Sequence, residues 1–305
     1  MSIAVRYRQF GGLDALELQE VPEPHAGPDE VRVRVTAAGL NPMDWQIAAK
    51  PEMAARFGIT LPAGFGSDFA GVVDEAGAEA AGFSVGDRVH GAAIGRSVAD
   101  FVLVKTPTTT LWRTPEGISD EVAATLPVAG LTASAALAAI GLRAGDAVLI
   151  GGAAGGVGIF AVQLAKLAGA RVLGTASERT FGFLRELGAE PVAYGPGLPD
   201  RLRALAPEGI TAATDLFGRE AAEAALELGV APERISTVAD GPALPGVHAT
   251  GAVDAKPGSL ERIADVIRSG ELTVPIAATF PVEQFREAVT MQAGRHVHGK
   301  IMVTL

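Results

Sequence analysis

Cysteine is absent from the chain. That excludes disulfides, thiol nucleophiles and cysteine-held zinc, and leaves the redox compartment open. Basic residues are outnumbered, 25 Lys and Arg against 35 Asp and Glu, for a net charge of -10. This balance speaks against a nucleic-acid or anionic-membrane surface. A phosphate-bearing ligand needs only local positive potential and is not excluded. The opening residues, Met-Ser-Ile-Ala-Val-Arg-Tyr-Arg, lack the apolar core of a secretory leader. Charge is also missing from Val122 to Leu142, a stretch of nearly membrane-spanning length. Its apolar content is mostly Ala, and Pro127 and Gly130 interrupt it, so a buried helical segment at a domain junction is expected. The expectation is a soluble cytoplasmic protein with neither nucleic acid nor membrane as partner.

The 305 residues, 48% of them hydrophobic, suffice for two compact domains. The first third reads as β. Val31-Arg-Val-Arg-Val alternates as a half-buried strand does, and short strands follow between Gly-rich turns, as in a small barrel. Asn41-Pro42 marks a turn expected to expose Asn41 and Asp44. The middle reads as strands alternating with helices: Ala147–Ile150, Arg171–Ala176, Pro191–Tyr194, Thr211–Phe217, Arg234–Ala239 and Val247–Ala252 would be the strands of a doubly wound parallel sheet. A helix over Val282–Ala293 and a strand over Gly299–Leu305 then return to the first domain. The expected division is 1–120 with 276–305, and 121–275, with a cleft between the two.

At the centre of the α/β block an apolar run, Ala147–Ile150, meets Gly151-Gly-Ala-Ala-Gly-Gly-Val-Gly158, which opens into a helical pattern from Ile159 to Leu167. This is the strand, phosphate loop and helix of a dinucleotide-binding unit. Gly155 and Gly156 let backbone approach a pyrophosphate. The helix start near Val157 offers N–H groups and the positive end of a dipole to it. Ala153 stands where the general fingerprint has its first glycine. The alternative is a tight strand-to-helix turn with no ligand.

The chain resembles the medium-chain dehydrogenase/reductase superfamily, in its zinc-free quinone oxidoreductase-like branch. The resemblance rests on Ala38-Gly-Leu-Asn-Pro-Met-Asp, Gly66-Ser-Asp-Phe-Ala-Gly-Val-Val, Val85-Gly-Asp-Arg-Val, Leu126-Pro-Val-Ala-Gly-Leu-Thr-Ala, Gly152-Ala-Ala-Gly-Gly-Val-Gly and His298-Gly-Lys-Ile-Met-Val, in family order over nearly the whole chain. It implies a GroES-like β-barrel-type catalytic domain and a Rossmann domain of the α/β class with a doubly wound parallel sheet. It also allows a homodimer paired through edge strands of the nucleotide domains. Where zinc-dependent relatives hold their catalytic metal, this chain has Asn41, Ser67 and Val128, none a good ligand. His296 and His298 lack a third ligand nearby. Without a Lewis acid, alcohol oxidation is disfavoured. Apolar electrophilic small molecules that take hydride readily, quinones and α,β-unsaturated carbonyls, are favoured.

The resemblance also implies a cofactor. An NAD site carries a carboxylate near the end of strand two. Here Thr175-Ala-Ser-Glu-Arg-Thr offers Ser177 and Arg179 to a 2′-phosphate instead, with Tyr194 after strand three, so NADPH is expected. Asn41 and Thr132 would lie near the nicotinamide ribose and carboxamide. Asp215, Gly218, Ala239 and Thr250 would stand at the ligand edge of the sheet, and Lys300 would contact the cofactor. For the proton that follows hydride, Tyr7 and Tyr194 are poorly placed. Asp44 is a candidate donor or orienter, with a turn-stabilising carboxylate as the alternative. Solvent protonation is the economical expectation, under which Asp44→Asn would keep cofactor binding and appreciable turnover. Trp45, Phe57 and Phe65 could wall an acceptor pocket or simply be core. An enoyl-thioester reductase and an NADPH-binding sensor or scaffold are the competing functions.

Overall fold

The computed structural model describes residues 1–238 and 243–305. Ala239, one of the expected cofactor neighbours, lies outside them. The chain divides into Met1–Val128 with Ile276–Leu305, and Ala129–Pro275. Residues 121–128, read above as the start of the nucleotide domain, therefore sit with the first unit.

In chain order the first unit contains β1 (Ser2–Tyr7), β2 (Glu17–Val21), β3 (Glu30–Leu40), α1 (Pro42–Ala49), α2 (Pro51–Arg56), β4 (Ala63–Gly64), β5 (Asp68–Ala76), β6 (Arg88–Ala92), β7 (Phe101–Lys105), β8 (Leu111–Arg113) and α3 (Asp120–Ala123). The second unit contains α4 (Leu131–Ala139), β9 (Ala147–Gly151), α5 (Gly158–Leu167), β10 (Arg171–Ala176), α6 (Phe181–Leu187), β11 (Glu190–Ala193), α7 (Leu198–Leu205), β12 (Ala212–Asp215), α8 (Glu220–Glu227), β13 (Ile235–Thr237), β14 (His248–Ala249) and α9 (Ser259–Arg268). The chain then rejoins the first unit with β15 (Ile276–Pro281), α10 (Phe285–Ala293) and β16 (Lys300–Thr304).

The first unit is organised by β3. Its alternation buries Val31, Val33 and Val35 and exposes Arg34. Arg32 departs from the pattern at 8% exposure. Its guanidinium is held by Asp74 at 2.9 and 3.2 Å, by Glu23 at 2.9 Å and by the Pro24 carbonyl at 2.8 Å, and lies over the Phe101 ring. A cation so fully paired can be taken out of water. Two register shifts bend β3 against β5, so its first half pairs with β7 and its end with β16. Val31, Val33, Phe69, Val73, Val89 and Val102 fill the space between.

The Asn-Pro turn is not a turn. β3 runs directly into α1, with Asn41 extended at the cap and Pro42 at the first helical position. There the missing N–H of proline costs nothing and its φ suits the helix. Asn41 and Asp44, expected to be exposed, are each 3% exposed. The uncharged Val122–Leu142 stretch breaks into the end of α3, a π-turn over Leu126–Gly130 and α4. Among the described residues no helix is long and apolar enough to cross a membrane.

The second unit carries a six-stranded sheet in the order β11-β10-β9-β12-β13-β14, every pairing parallel. This is the doubly wound arrangement, with the order reversing beside β9. Every residue of β9 is buried, as a strand covered on both faces requires. The sixth strand is shorter than expected, only His248–Ala249.

Candidate functional site

The glycine-rich turn lies between β9 and α5, at the carboxyl edge of the second unit's sheet. Its geometry is dictated by close packing. Gly152 adopts a left-handed φ of 68°, and a Cβ there would meet Phe217 at 2.8 Å. The Gly152 N–H donates to Thr175 Oγ1 at 3.1 Å, tying the turn to β10. Ala153 is fully buried; a Cβ added at Gly174 would lie 2.8 Å from its methyl. The alanine in the fingerprint's first glycine position thus fills space that glycine on the neighbouring strand leaves. Gly158 begins α5 with its Cα hydrogens against backbone: a Cβ would sit 2.3 Å from the Gly152 carbonyl oxygen and 2.5 Å from that of Ala153. Gly155, Gly156 and Val157 are half-buried on the turn. Val157, at the cap of α5, makes no side-chain capping bond. The Ile159 and Phe160 N–H groups close onto the Gly155 and Val157 carbonyls at 3.0 and 3.2 Å, so what the turn can offer an anion are the N–H groups that precede them.

The other expected cofactor residues follow the ends of the same strands. After β10, Ser177 Oγ lies 2.8 Å from Thr180 Oγ1. Arg179 is exposed and pairs with no carboxylate among the described residues, so Glu178 does not neutralise it. Tyr194, after β11, is 56% exposed. After β12, Asp215 spends its carboxylate on four backbone N–H groups, those of Phe217, Gly218, Ala221 and Ala222. Its job is to hold the Gly218 turn and start α8. Thr250, after β14, has a buried Oγ1 with no partner among the described residues. Such an orphan is what a missing polar ligand leaves. Thr132 is buried on α4 at 7% exposure. The uncapped helix start, the exposed cation and the orphaned hydroxyl fit a nicotinamide dinucleotide on this edge.

The first unit gathers a different group. Asn41 and Asp44, three residues apart, meet the distant Lys300 with Ser67 and Asp68 where β3 enters α1 beside β5 and β16. Lys300 Nζ donates to Asn41 Oδ1 at 2.5 Å and to the Leu40 carbonyl at 3.1 Å. Asn41 Nδ2 donates to Asp68 Oδ2 at 2.9 Å, and the Val128 N–H of the π-turn donates to Asp68 Oδ1 at 3.0 Å. The Asn41 N–H donates to Asp44 Oδ2 at 2.8 Å, and Ser67 Oγ contacts Asp44 Oδ1 at 2.5 Å. Burial pushes Asp44 up to about 6, against the pull of Ser67, the Asn41 N–H and Lys300. Burial likewise pushes Asp68 up to about 7, against Lys300 and Asn41. It lowers Lys300, against the attraction of the two carboxylates.

Lys300, expected to contact the cofactor, is 3% exposed, with its ammonium held inside this cluster. Asn41, expected beside the nicotinamide carboxamide, has both ends of its amide committed within the cluster. Phe65 belongs to the core, Phe57 is 39% exposed, and Trp45 is half-buried with its indole N–H on Gln292 Oε1. Tyr7 is buried with no partner for its hydroxyl among the described residues. Asp68 and the positive role of Ser67 were missed from sequence. The available signal was an acid opening the apolar run Asp68-Phe-Ala-Gly-Val-Val, where a strand buried on both faces has no use for charge.

Residues 27–102 match the family model of the alcohol dehydrogenase GroES-like domain, and residues 156–242 that of the zinc-binding dehydrogenase. The chloroplastic quinone-oxidoreductase homolog of Spinacia oleracea is 38% identical over 202 residues, 62% of this chain and 60% of its own length. The chain thus spans about 60% of that curated relative. Among solved structures, the quinone oxidoreductase from Coxiella burnetii superposes with a TM-score of 0.87 at 29% identity, over 100% of this chain and 99% of its own. A mycobacterial protein solved in complex with NADPH gives 0.87 at 25% identity, over 100% of both chains.

The zinc named by the second model does not fit these residues. Asn41 and Ser67 spend their side chains inside the cluster, Val128 offers only its backbone, and the Lys300 ammonium already occupies the role of counter-cation, where it would repel a second one. His296 and His298 are exposed. Among the described residues no three His, Cys, Asp or Glu side chains gather to hold a metal. With a GroES-like first unit, a Rossmann second unit and relatives of the quinone oxidoreductase type, the chain belongs to the medium-chain dehydrogenase/reductase superfamily, in its quinone oxidoreductase-like branch.

Proposed function

We propose that the chain is an NADPH-dependent reductase that passes hydride to a quinone or an α,β-unsaturated carbonyl without a metal. The observation that carries the reading is Arg179, exposed and without a carboxylate partner among the described residues, beside Ser177 at the end of β10, where an NAD site would present a carboxylate. A guanidinium fork there suits a 2′-phosphate. Gly155, Gly156 and Val157 would cradle the pyrophosphate. Gly218, Ala239, Thr250, Tyr194 and Thr132 would complete the cofactor's surroundings, with Asp215 holding the Gly218 turn. The bound cofactor would supply hydride; the chain's own contribution is orientation and a place for the proton. A conjugated acceptor delocalises the charge that hydride brings, which an alkoxide cannot do, so it needs no Lewis acid.

The test is paired. NADPH and NADH affinities are measured by calorimetry, and NADPH oxidation is followed against quinones, enones and enoyl thioesters. Tighter NADPH with quinone or enone turnover supports the reading. Equal or tighter NADH overturns the cofactor assignment, preference for enoyl thioesters favours a biosynthetic enoyl reductase, and tight binding with no turnover favours a sensor. A homodimer through the exposed edge strand β14 completes the proposal, and light scattering would read it as twice the monomer mass.

A further inference from the structure

We propose that Arg201 is a positioning residue for the adenosine end of the dinucleotide: it locks the backbone on both sides of Tyr194, so that the phenol hydroxyl stands ready for the 2′-phosphate. The use of Tyr194 rests on the NADPH reading. The lock does not.

The lock is built from one guanidinium. Arg201 lies on α7, half-buried, just past the loop that leaves β11. Its Nε donates to the Ala193 carbonyl at 2.9 Å and its Nη1 to that of Pro196 at 2.8 Å. Its Nη2 donates to the carbonyls of Tyr194 at 3.2 Å and Gly195 at 2.8 Å. Four successive carbonyls thus converge on one planar, permanently charged group. The loop can curl this tightly because Gly195 and Gly197 take left-handed φ of 93° and 81°. A Cβ at Gly197 would also lie 3.3 Å from Arg201 Nη1.

The consequence falls on Tyr194. The peptide plane before it has its oxygen, that of Ala193, on Arg201. The plane after it is held at both ends, the Tyr194 oxygen on Arg201 and the Gly195 N–H on Glu220 Oε1 of α8 at 2.6 Å. With both planes fixed, φ and ψ of Tyr194 are fixed as well. Yet its ring is 56% exposed and stands outside the second unit's apolar core. The backbone is ordered for a side chain that adds nothing to the packing. Such a contact has its ordering cost met before a ligand arrives.

The neighbouring strand indicates the ligand's chemistry. Ala193 pairs with Ala176 across the parallel β11 and β10, so Tyr194 and Ser177 each stand one residue past the same register position. Paired strands lie roughly 4.8 Å apart, and a phenol reaches farther than that from its own backbone. Tyr194, Ser177 and the exposed Arg179 therefore offer two hydroxyls and a guanidinium at one corner of the sheet. That set suits a phosphate monoester.

The test uses the whole protein and two probes that differ only in the 2′-phosphate, adenosine 2′,5′-bisphosphate and adenosine 5′-monophosphate, titrated by calorimetry. The wild type should prefer the bisphosphate. Arg201→Met keeps a long unbranched side chain and loses every donor. It should cut the preference about 10-fold, the worth of one hydrogen bond to a charged group, with the monophosphate nearly unchanged. Tyr194→Phe should cost the same, and the double variant no more than either, because both remove one contact. Equal weakening of both probes, or additive losses in the double variant, overturns the proposal. So does full preference in Arg201→Lys, which keeps the charge without the planar fork. Amide hydrogen exchange without ligand reads the lock alone. Faster exchange confined to residues 193–197 is expected in Arg201→Met, and unchanged exchange overturns the lock. A wild type indifferent to the 2′-phosphate would sink the NADPH reading and the use of Tyr194, and leave the exchange result standing.

Discussion

His90 is fully buried, with Nδ1 3.0 Å from Thr114 Oγ1, its ring stacked on Trp112 and Nε2 unpartnered among the described residues. Burial lowers it to about 4. The unfolded chain binds that proton below about 6.5 and the folded one does not, so this group withdraws stability as pH falls from about 6.5 to about 4. Asp44 and Asp68 act oppositely. Their folded values lie above the unfolded ones, so the stability they contribute is present at low pH and is lost as pH rises through about 6 and about 7. His90→Phe should therefore steepen the decline of stability with rising pH between about 4 and 6.5. Urea unfolding at a series of pH values checks this, and an unchanged slope would show that His90 is protonated in the fold. Arg179 makes a separate test: Arg179→Ala should weaken NADPH about 10-fold, the worth of one charged hydrogen bond, and leave NADH unchanged by titration calorimetry.

Residues whose partners are local were legible, and residues whose partners are distant were not. That Ser177 and Arg179 follow the end of β10 could be read because the strand before them is contiguous in sequence. Lys300 could not: nothing within its own strand announces that 259 residues separate it from the amide it holds. Asp68 was quoted for its segment and passed over, because an acid opening a strand usually ends in solvent.

Between residue and domain, the β9–α5 turn and the β3–α1 entry make a useful pair. The strand, glycine-rich turn and helix were readable in sequence, and close packing gives the reason for Gly152 and Gly158. Gly158→Ala would press a methyl into two backbone carbonyls, so it should lower the melting temperature and abolish nucleotide binding. Gly182→Ala, on α6 with no atom within 4 Å of the added methyl, should be neutral or stabilise by up to about 1 kcal/mol. Differential scanning calorimetry with and without NADPH reads both. The β3–α1 entry was misread for a physical reason. Asn-Pro favours a turn, but a proline at a helix's first position satisfies the same local rule, and only the tertiary burial of Asn41 chooses between them.

At the scale of the whole molecule, the doubly wound order and the return of the final strand to the first domain were legible from alternating patterns. The boundary was not, because Pro127 and Gly130 fall within a continuous π-turn over Leu126–Gly130 and Val128 still bonds to Asp68. The weight of β16 in the first unit is large. Ile301, Met302 and Val303 are buried to 1% exposure or less. Burying three such side chains is worth roughly 5–9 kcal/mol, comparable with the roughly 5–15 kcal/mol that holds a domain folded. Removal of residues 300–305 should therefore unfold the first unit and spare the second. Residues 129–275 alone should give a cooperative thermal transition by circular dichroism, and residues 1–128 alone should not.

That pairing of β16 with β3 has a consequence for biosynthesis. A ribosome adding about 5–20 residues per second produces Lys300 some tens of seconds after Asn41. During that interval the nascent first unit has an open edge along β3 and two acids awaiting their counter-cation, while the Rossmann segment emerges complete. The order of maturation is thus set by the chain's path: the Rossmann half can fold as it is made, and the half that holds the buried acids closes only when its ammonium arrives.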